Sequence, residues 1–256
     1  MLAVFGLAAC TTDNIAAAPE VSVLPANVIL ILVDDLGYCD SELYGCDDIP
    51  TPHIRSLAED GTVFTAGYVT SPVCSPSRAS LLTGRYQQRF GHEFLPEADP
   101  SGQSGLPIGE STLADAMRST GYTTGMVGKW HLGDNAPHRP QDRGFQDVLW
   151  HRCGGIGQAS DYWGNDYFDD TYERAGVGNM QGRFQKFEGY CTDVWFREGL
   201  RFVERNKDKP FFLYLALNAP HGPYRVPPEW AQPYEDREEV SNPNFLGMVA
   251  NIDHKD

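Results

Sequence analysis

Positive charge is scarce in this chain. Twenty Lys and Arg stand against 35 Asp and Glu, a formal net charge of −15 over 256 residues. No basic patch or stripe is visible, which argues against nucleic acid as a partner. No run of eighteen apolar residues occurs, so no segment reads as a membrane-spanning helix. Internal repeats and low-complexity tracts are absent as well. Cysteine is sparse: there are six, and none of their spacings resembles a zinc site.

What is present suits one large α/β domain. The length allows a sizeable core, and 18 Pro with 26 Gly imply many loops. An acidic protein that handles an anion has to concentrate positive charge locally. Residues 1–18 read as a separate leader. Met1 to Ala9 is short, apolar and rich in small residues, and Leu7-Ala8-Ala9-Cys10 resembles a bacterial lipobox. Cys10 would then be a lipid anchor, and Thr11 to Pro19 a polar tether. Cleavage near Ala16-Ala17-Ala18 is the other reading. Both imply export, to the periplasm or as an outer-surface lipoprotein. In an oxidising compartment Cys39 and Cys46 could bridge, and so could Cys153 and Cys191; free buried thiols are the default.

Three apolar runs end in polar groups. Asn27 to Val33 is a continuous β-branched and Leu run, a strand buried on both faces as in a parallel sheet. It stops at Asp34-Asp35-Leu36-Gly37. Two adjacent carboxylates repel unless neutralised, and a hard cation with oxygen ligands does this; a solvated turn is the plainer reading. Tyr122 to Val127 reads as a strand leading to Lys129 and His131, which lie two apart on an extended segment and share a side. Phe211 to Leu217 reads as another buried strand, followed by Asn218-Ala219-Pro220-His221. In open α/β sheets ligands bind at the carboxyl edge, so the three runs converge on one site.

Other elements follow from caps and periodicity. Thr51-Pro52 starts a helix that Gly61 ends. Val63 to Tyr68 suggests a further strand. Ser111 to Thr120 and Cys191 to Arg205 are amphipathic helices. Residues 150–190, rich in Gly, Asp and aromatics, read as long loops near the mouth of the site. Their aromatics either stack on a sugar or aryl ring or pack the loop itself. Ser241 to Asn244 looks like a helix start, and no stop signal precedes Asp256. The chain would thus end within a helix whose apolar face lacks its following elements.

The segment Cys74-Ser75-Pro76-Ser77-Arg78-Ala79-Ser80-Leu81-Leu82-Thr83-Gly84-Arg85 carries the most chemistry. Pro76 suits a first helical turn and Gly84 its end. A nucleophile at a helix N-terminus faces free N–H groups and the positive end of the dipole, which favours sulfate or phosphate. Arg78, one turn on, can fork onto two oxyanion oxygens. The alternative is an inert cysteine before an ordinary helix.

The Cys-x-Pro-x-Arg spacing and the flanking run resemble the signature of the type I, formylglycine-dependent sulfatases, arylsulfatase-like members of the alkaline phosphatase superfamily. Gly121 to His131 resembles that family's second signature. The resemblance covers residues 26–256, the N-terminal part of a family catalytic domain. It implies an α/β sandwich with a largely parallel central sheet between helices, in a domain spanning 19–256. It implies a calcium-dependent sulfuric ester hydrolase. A formylglycine-generating or radical maturing enzyme would convert Cys74 to formylglycine. Asp34, Asp35 and residue 74 would bind one Ca2+. Residue 74, as the aldehyde hydrate, would attack sulfur. Arg78 would hold the nucleophile, Lys129 would neutralise sulfate oxygens, and His221 would orient sulfate or assist the leaving alkoxide. His131 would take the proton that expels sulfate from the sulfated hemiacetal. The substrate would be a sulfate ester, by analogy a sulfated glycan or an aryl sulfate. Three other readings stay open: a phosphonate or phosphate ester hydrolase of the same superfamily, a non-catalytic remnant that binds sulfated glycans, and a lipid-anchored surface protein whose Cys74 stays a thiol. The resemblance also places a further metal pair and a basic residue beyond residue 256.

Overall fold

The computed structural model describes residues 25–45, 47–96, 102–158 and 161–254. The leader, the Cys10 anchor and Cys46 lie outside them. In chain order the elements are β1 (Val28–Asp34), α1 (Pro52–Glu59), α2 (Cys74–Thr83), α3 (Leu113–Ser119), β2 (Thr123–Lys129), β3 (Asp147–His151), β4 (Thr171–Gly176), β5 (Asn179–Lys186), α4 (Cys191–Asn206), β6 (Phe211–Pro220), α5 (Pro228–Ala231) and α6 (Pro243–Asp253).

One six-stranded sheet has the order β1-β6-β2-β3-β4-β5. The β1–β6, β6–β2 and β2–β3 pairs are parallel. The β3–β4 and β4–β5 pairs are antiparallel. The α/β sandwich and its mostly parallel sheet agree with the sequence. Strand β6 shows why. All ten residues are buried, and alternate side chains feed two cores. Phe211, Leu213, Leu215 and Leu217 pack with Val194 and Trp195 of α4 and Met248 and Ile252 of α6. Phe212, Tyr214 and Ala216 pack with Ala79 and Leu82 of α2 and Ala114 of α3. A strand continuously apolar on both faces needs helices on both.

Glycine lets β2 and β6 close together at one point. Gly128 has φ 108°, and a Cβ there would stand 2.0 Å from the Ala216 carbonyl oxygen. Only a residue without a side chain fits.

Several expectations need correction. Val63 to Tyr68 forms no strand; Phe64 is 74% and Tyr68 90% exposed. Residues 150–190 are not all loop, because they contain the β4–β5 hairpin. Strand β1 is not buried on both faces: Ile29 and Ile31 are 49% and 46% exposed, since β1 lies at the sheet edge with one neighbour. Helix α6 stops at Asp253 with His254 as its cap, and its apolar side chains Leu246, Met248, Val249 and Ile252 are buried rather than uncovered. The His254 ring packs on His53 and Trp230, a tertiary contact invisible to local stop signals. Cys153 and Cys191 form no disulfide with each other. Cys39 is disulfide-bonded. Among the described residues, no helix is long and apolar enough to cross a membrane.

Candidate active site

Strands β1, β6 and β2 are neighbours and parallel, so their carboxyl ends share one edge. Asp34 ends β1, Lys129 ends β2, and His221 follows β6 directly. Helix α2 points its N-terminus at this edge with Cys74 as its first residue. Val73 precedes it and supplies no side-chain cap. The first-turn N–H groups therefore lack the side-chain acceptor found at many helix starts.

Three charges are buried together. Asp34, Arg78 and Lys129 are 6%, 2% and 0% exposed. The Lys129 Nζ donates to Asp34 Oδ2 at 2.5 Å, and Arg78 Nη2 lies 3.3 Å from Asp34 Oδ1. Arg78 also donates to the carbonyls of Lys129 and Leu217, at 2.7 and 3.3 Å, and to the Tyr214 hydroxyl at 3.4 Å. Burial raises the Asp34 carboxyl, but Lys129 and Arg78 outweigh it and hold it at about 2. Two cations against one carboxylate leave an excess of one positive charge, in a chain of net charge −15. An anion is attracted to such a place.

Cys74 is half-buried and hydrogen-bonded to His221. Burial pushes its thiol up; the bond to His221 and the charge of Lys129 bring it below the ordinary value. That same bond raises His221 against the effect of burial. The His221 Nε2 lies 3.6 Å from Asp35 Oδ2. Asp35 itself is exposed at the rim and takes a left-handed backbone, φ 66°. Asp34, Asp35, Cys74 and Arg78 line a cavity of about 180 Å³.

The structure therefore brings Asp34, Cys74, Arg78, Lys129 and His221 together, with Asp35 alongside. His131 lies behind Lys129, buried, with φ 59°. Burial, then Lys129 and Arg78, push its ring well below the ordinary imidazole value, so it is neutral. Its Nδ1 is buried without a hydrogen-bond partner. Gly154 makes room for this ring, since a Cβ there would stand 2.3 Å from His131 Cε1.

Some residues at the site carried no local signal. Gln158 reaches His221 Nδ1 at 3.0 Å, and the Tyr167 hydroxyl donates to the His221 carbonyl at 2.8 Å. Both come from the 150–190 stretch, whose proximity to the site was legible though its individual contacts were not. His151 sits beside Lys129 in the β2–β3 register and is buried with an unpartnered Nε2. Of the aromatics, Tyr167 is buried, Trp163 donates to Asp134 at 3.0 Å and stacks under Arg152, and Tyr162 is 64% exposed. Trp163 and Tyr167 thus pack the loop.

The donor set suits a hard cation in part. Asp34, Cys74 and His221 each present a ligand atom, all within 4.8 Å of one another, and Asp35 adds a second carboxylate. The two carboxylates are the oxygen donors that a hard cation such as calcium takes; the thiol and the imidazole are softer donors. Both Asp34 oxygens are already engaged by Lys129 and Arg78, so these residues make part of a coordination shell.

The profile of the family described as Sulfatase matches residues 26–255. N-acetylgalactosamine-6-sulfatase of Canis lupus familiaris is 33% identical over 229 residues, covering 81% of this chain and 41% of that protein. Arylsulfatase of Klebsiella aerogenes is 33% identical over 224 residues, covering 83% and 47%. The crystal structure of Ps i-CgsB with k-i-k-neocarrahexaose superposes with a TM-score of 0.77 at 34% identity, over 89% of this chain and 52% of that one. BT4656 in complex with its substrate D-glucosamine-2-N,6-O-disulfate gives 0.66 at 26% identity, over 82% and 38%. The chain spans about half the length, or less, of these relatives. With its matched span and its converging strand ends, the chain belongs to the sulfatase family.

Proposed function

We propose that the protein carrying this chain hydrolyses a sulfate ester, with residue 74 as formylglycine as the nucleophile, and that its substrate is a sulfated carbohydrate. The observation that carries this reading is the buried Lys129–Asp34–Arg78 cluster beside Cys74 at the α2 N-terminus. It offers fixed positive charge to an anion next to a nucleophile position. The substrate class is supported by the sugar-bearing complexes of two structural relatives.

Each residue has work that its position suits. Lys129 and Arg78, held by Asp34, offset charge that builds on sulfate oxygens. His221, in contact with Cys74, donates a proton to the leaving alkoxide. By resemblance to the family, the neutral His131 would accept a proton from residue 74 during release of sulfate. A calcium ion held by Asp34, Asp35 and residue 74 would supply Lewis-acid polarisation. The leader-like residues 1–18 support an exported protein, anchored through Cys10 or cleaved.

The test is to produce the protein with a formylglycine-generating enzyme and follow release from an aryl sulfate, with an aryl phosphate as comparator. Mass analysis of the peptide containing residue 74 should show an aldehyde in place of the thiol. Cys74→Ser lacks the second hydroxyl of the hydrate and should stop after one turnover. Repeated turnover by that variant, or preference for the phosphate ester, overturns the reading.

A further inference from the structure

A second concentration of cations lies on the opposite edge of the sheet. Strands β2 and β3 begin there, at Thr123 and Asp147, and α4 ends there. These termini and the β4–β5 hairpin enclose a cavity of about 640 Å³. Thr123 lines it, while Lys129 marks the other end of the same strand. At about 3.3 Å per residue the two ends are roughly 20 Å apart. The cavity is separate from the site at Cys74.

Arg174, Arg183, Arg205 and Lys209 line this cavity against a single carboxylate, Asp147. Arg205 holds Asp147 at 2.7 Å and Arg174 approaches it at 3.9 Å. Arg174 also pairs with the buried Glu198. Arg183 and Lys209 have no ion pair among the described residues. Arg174 and Arg183 stand directly opposite each other across the hairpin. Glu198 and Asp147 already offset the charge of Arg174, which leaves Arg183, opposite it, as the cation of this pair open to an outside anion. A chain of net charge −15 has no solvation need to gather four cations around one cleft. The volume falls in the range of ligand sites, and Phe202 and Val177 on its wall give apolar surface for sugar rings.

We propose that this cleft is a second binding site, for a sulfated oligosaccharide, distinct from the reacting site. Several spaced sulfates match several spaced cations better than one small ion does. The choice of sulfated carbohydrate rests on the substrate class inferred above.

The experiment titrates the protein with a sulfated galactan hexasaccharide and with its desulfated counterpart, at low and moderate salt. The variant is Arg183→Gln with Lys209→Gln; both side chains are exposed, and the buried Glu198 keeps its partner. Two exposed charge contacts together should account for about a three- to ten-fold loss of affinity, with a shallower salt dependence and unchanged turnover of a small aryl sulfate. A reference pair, Arg118→Gln with Lys186→Gln, removes the same charge outside the cleft and should leave affinity as it was. Equal loss in the reference pair, no loss in the cleft variant, or equal binding of the desulfated chain overturns the proposal. Absence of aryl sulfate turnover in the unaltered protein counts against the sulfatase reading instead, and leaves the binding comparison intact.

Discussion

His92, His131 and His151 are buried, and burial is the largest influence holding each below the ordinary imidazole value; His151 falls to about 3. In the unfolded chain such rings titrate near 6.5. Below that pH the unfolded state binds more protons than the native one, so stability is full above about 6.5 and drains as pH falls toward 3. His221 runs the other way. Its folded value is raised, so its contribution is present below 6.5 and lost as pH rises through the folded value. Three rings outweigh one. Thermal unfolding followed from pH 7.5 to 4 should show a midpoint that falls steadily below about 6.5. His151→Asn, which cannot take the proton, should flatten that slope; an unchanged slope would show that His151 is not a source of the acid sensitivity. At this scale the sequence was legible wherever a charged residue followed an apolar run, as with Asp34, Lys129 and His221. It was silent on His151 and Gln158, because only the β2–β3 register and the path of the loop bring them to the site.

Helix α1 shows how an element can depend on a distant one. Thr51 makes no side-chain cap bond. The first amides of α1 are met instead by Asp253 at the end of α6: Ile54 N donates to Oδ1 at 2.8 Å and His53 N to Oδ2 at 3.3 Å. A carboxylate there both accepts these bonds and faces the positive end of the helix. Asp253→Ala should destabilise the chain by about 1 kcal/mol, read as a lower unfolding midpoint with faster hydrogen exchange at Ile54. Unaltered exchange at Ile54 would place the cap elsewhere. Thr51-Pro52 did mark the helix start, but its acceptor is 200 residues away, beyond any local pattern. The β4–β5 hairpin was missed for a related reason. Strand β5 is polar and mostly exposed, so it lacks the alternation that announces a strand. Val63 to Tyr68 has the right composition, yet among the described residues no strand pairs with it, and pairing is what makes a strand.

For the whole molecule, the sheet has two edges, the polar β5 and the apolar β1. Strand β1 pairs with β6 on one side, and among the described residues nothing pairs with the other. Ile29 and Ile31 face solvent beside a row of unpaired backbone groups. Long apolar edges invite association with further chains. Replacing both by Thr keeps β propensity and should lower light scattering when the 256-residue chain is refolded at rising concentration; unchanged scattering would clear β1 as the adhesive element. Nothing in the residue pattern warns of this, because a continuous apolar run reads alike whether the strand is central or at an edge.

The same strand sets a timetable for biosynthesis. Its partner comes late: the bond between Asn27 and Phe211 spans 184 residues. At about 5–20 residues per second, β1 emerges from the ribosome roughly ten to forty seconds before β6 exists to receive it. Throughout that interval the run from Val28 to Val33 is an unpaired apolar segment on a nascent chain. Safe production of this protein therefore depends on whatever occupies that segment while translation continues.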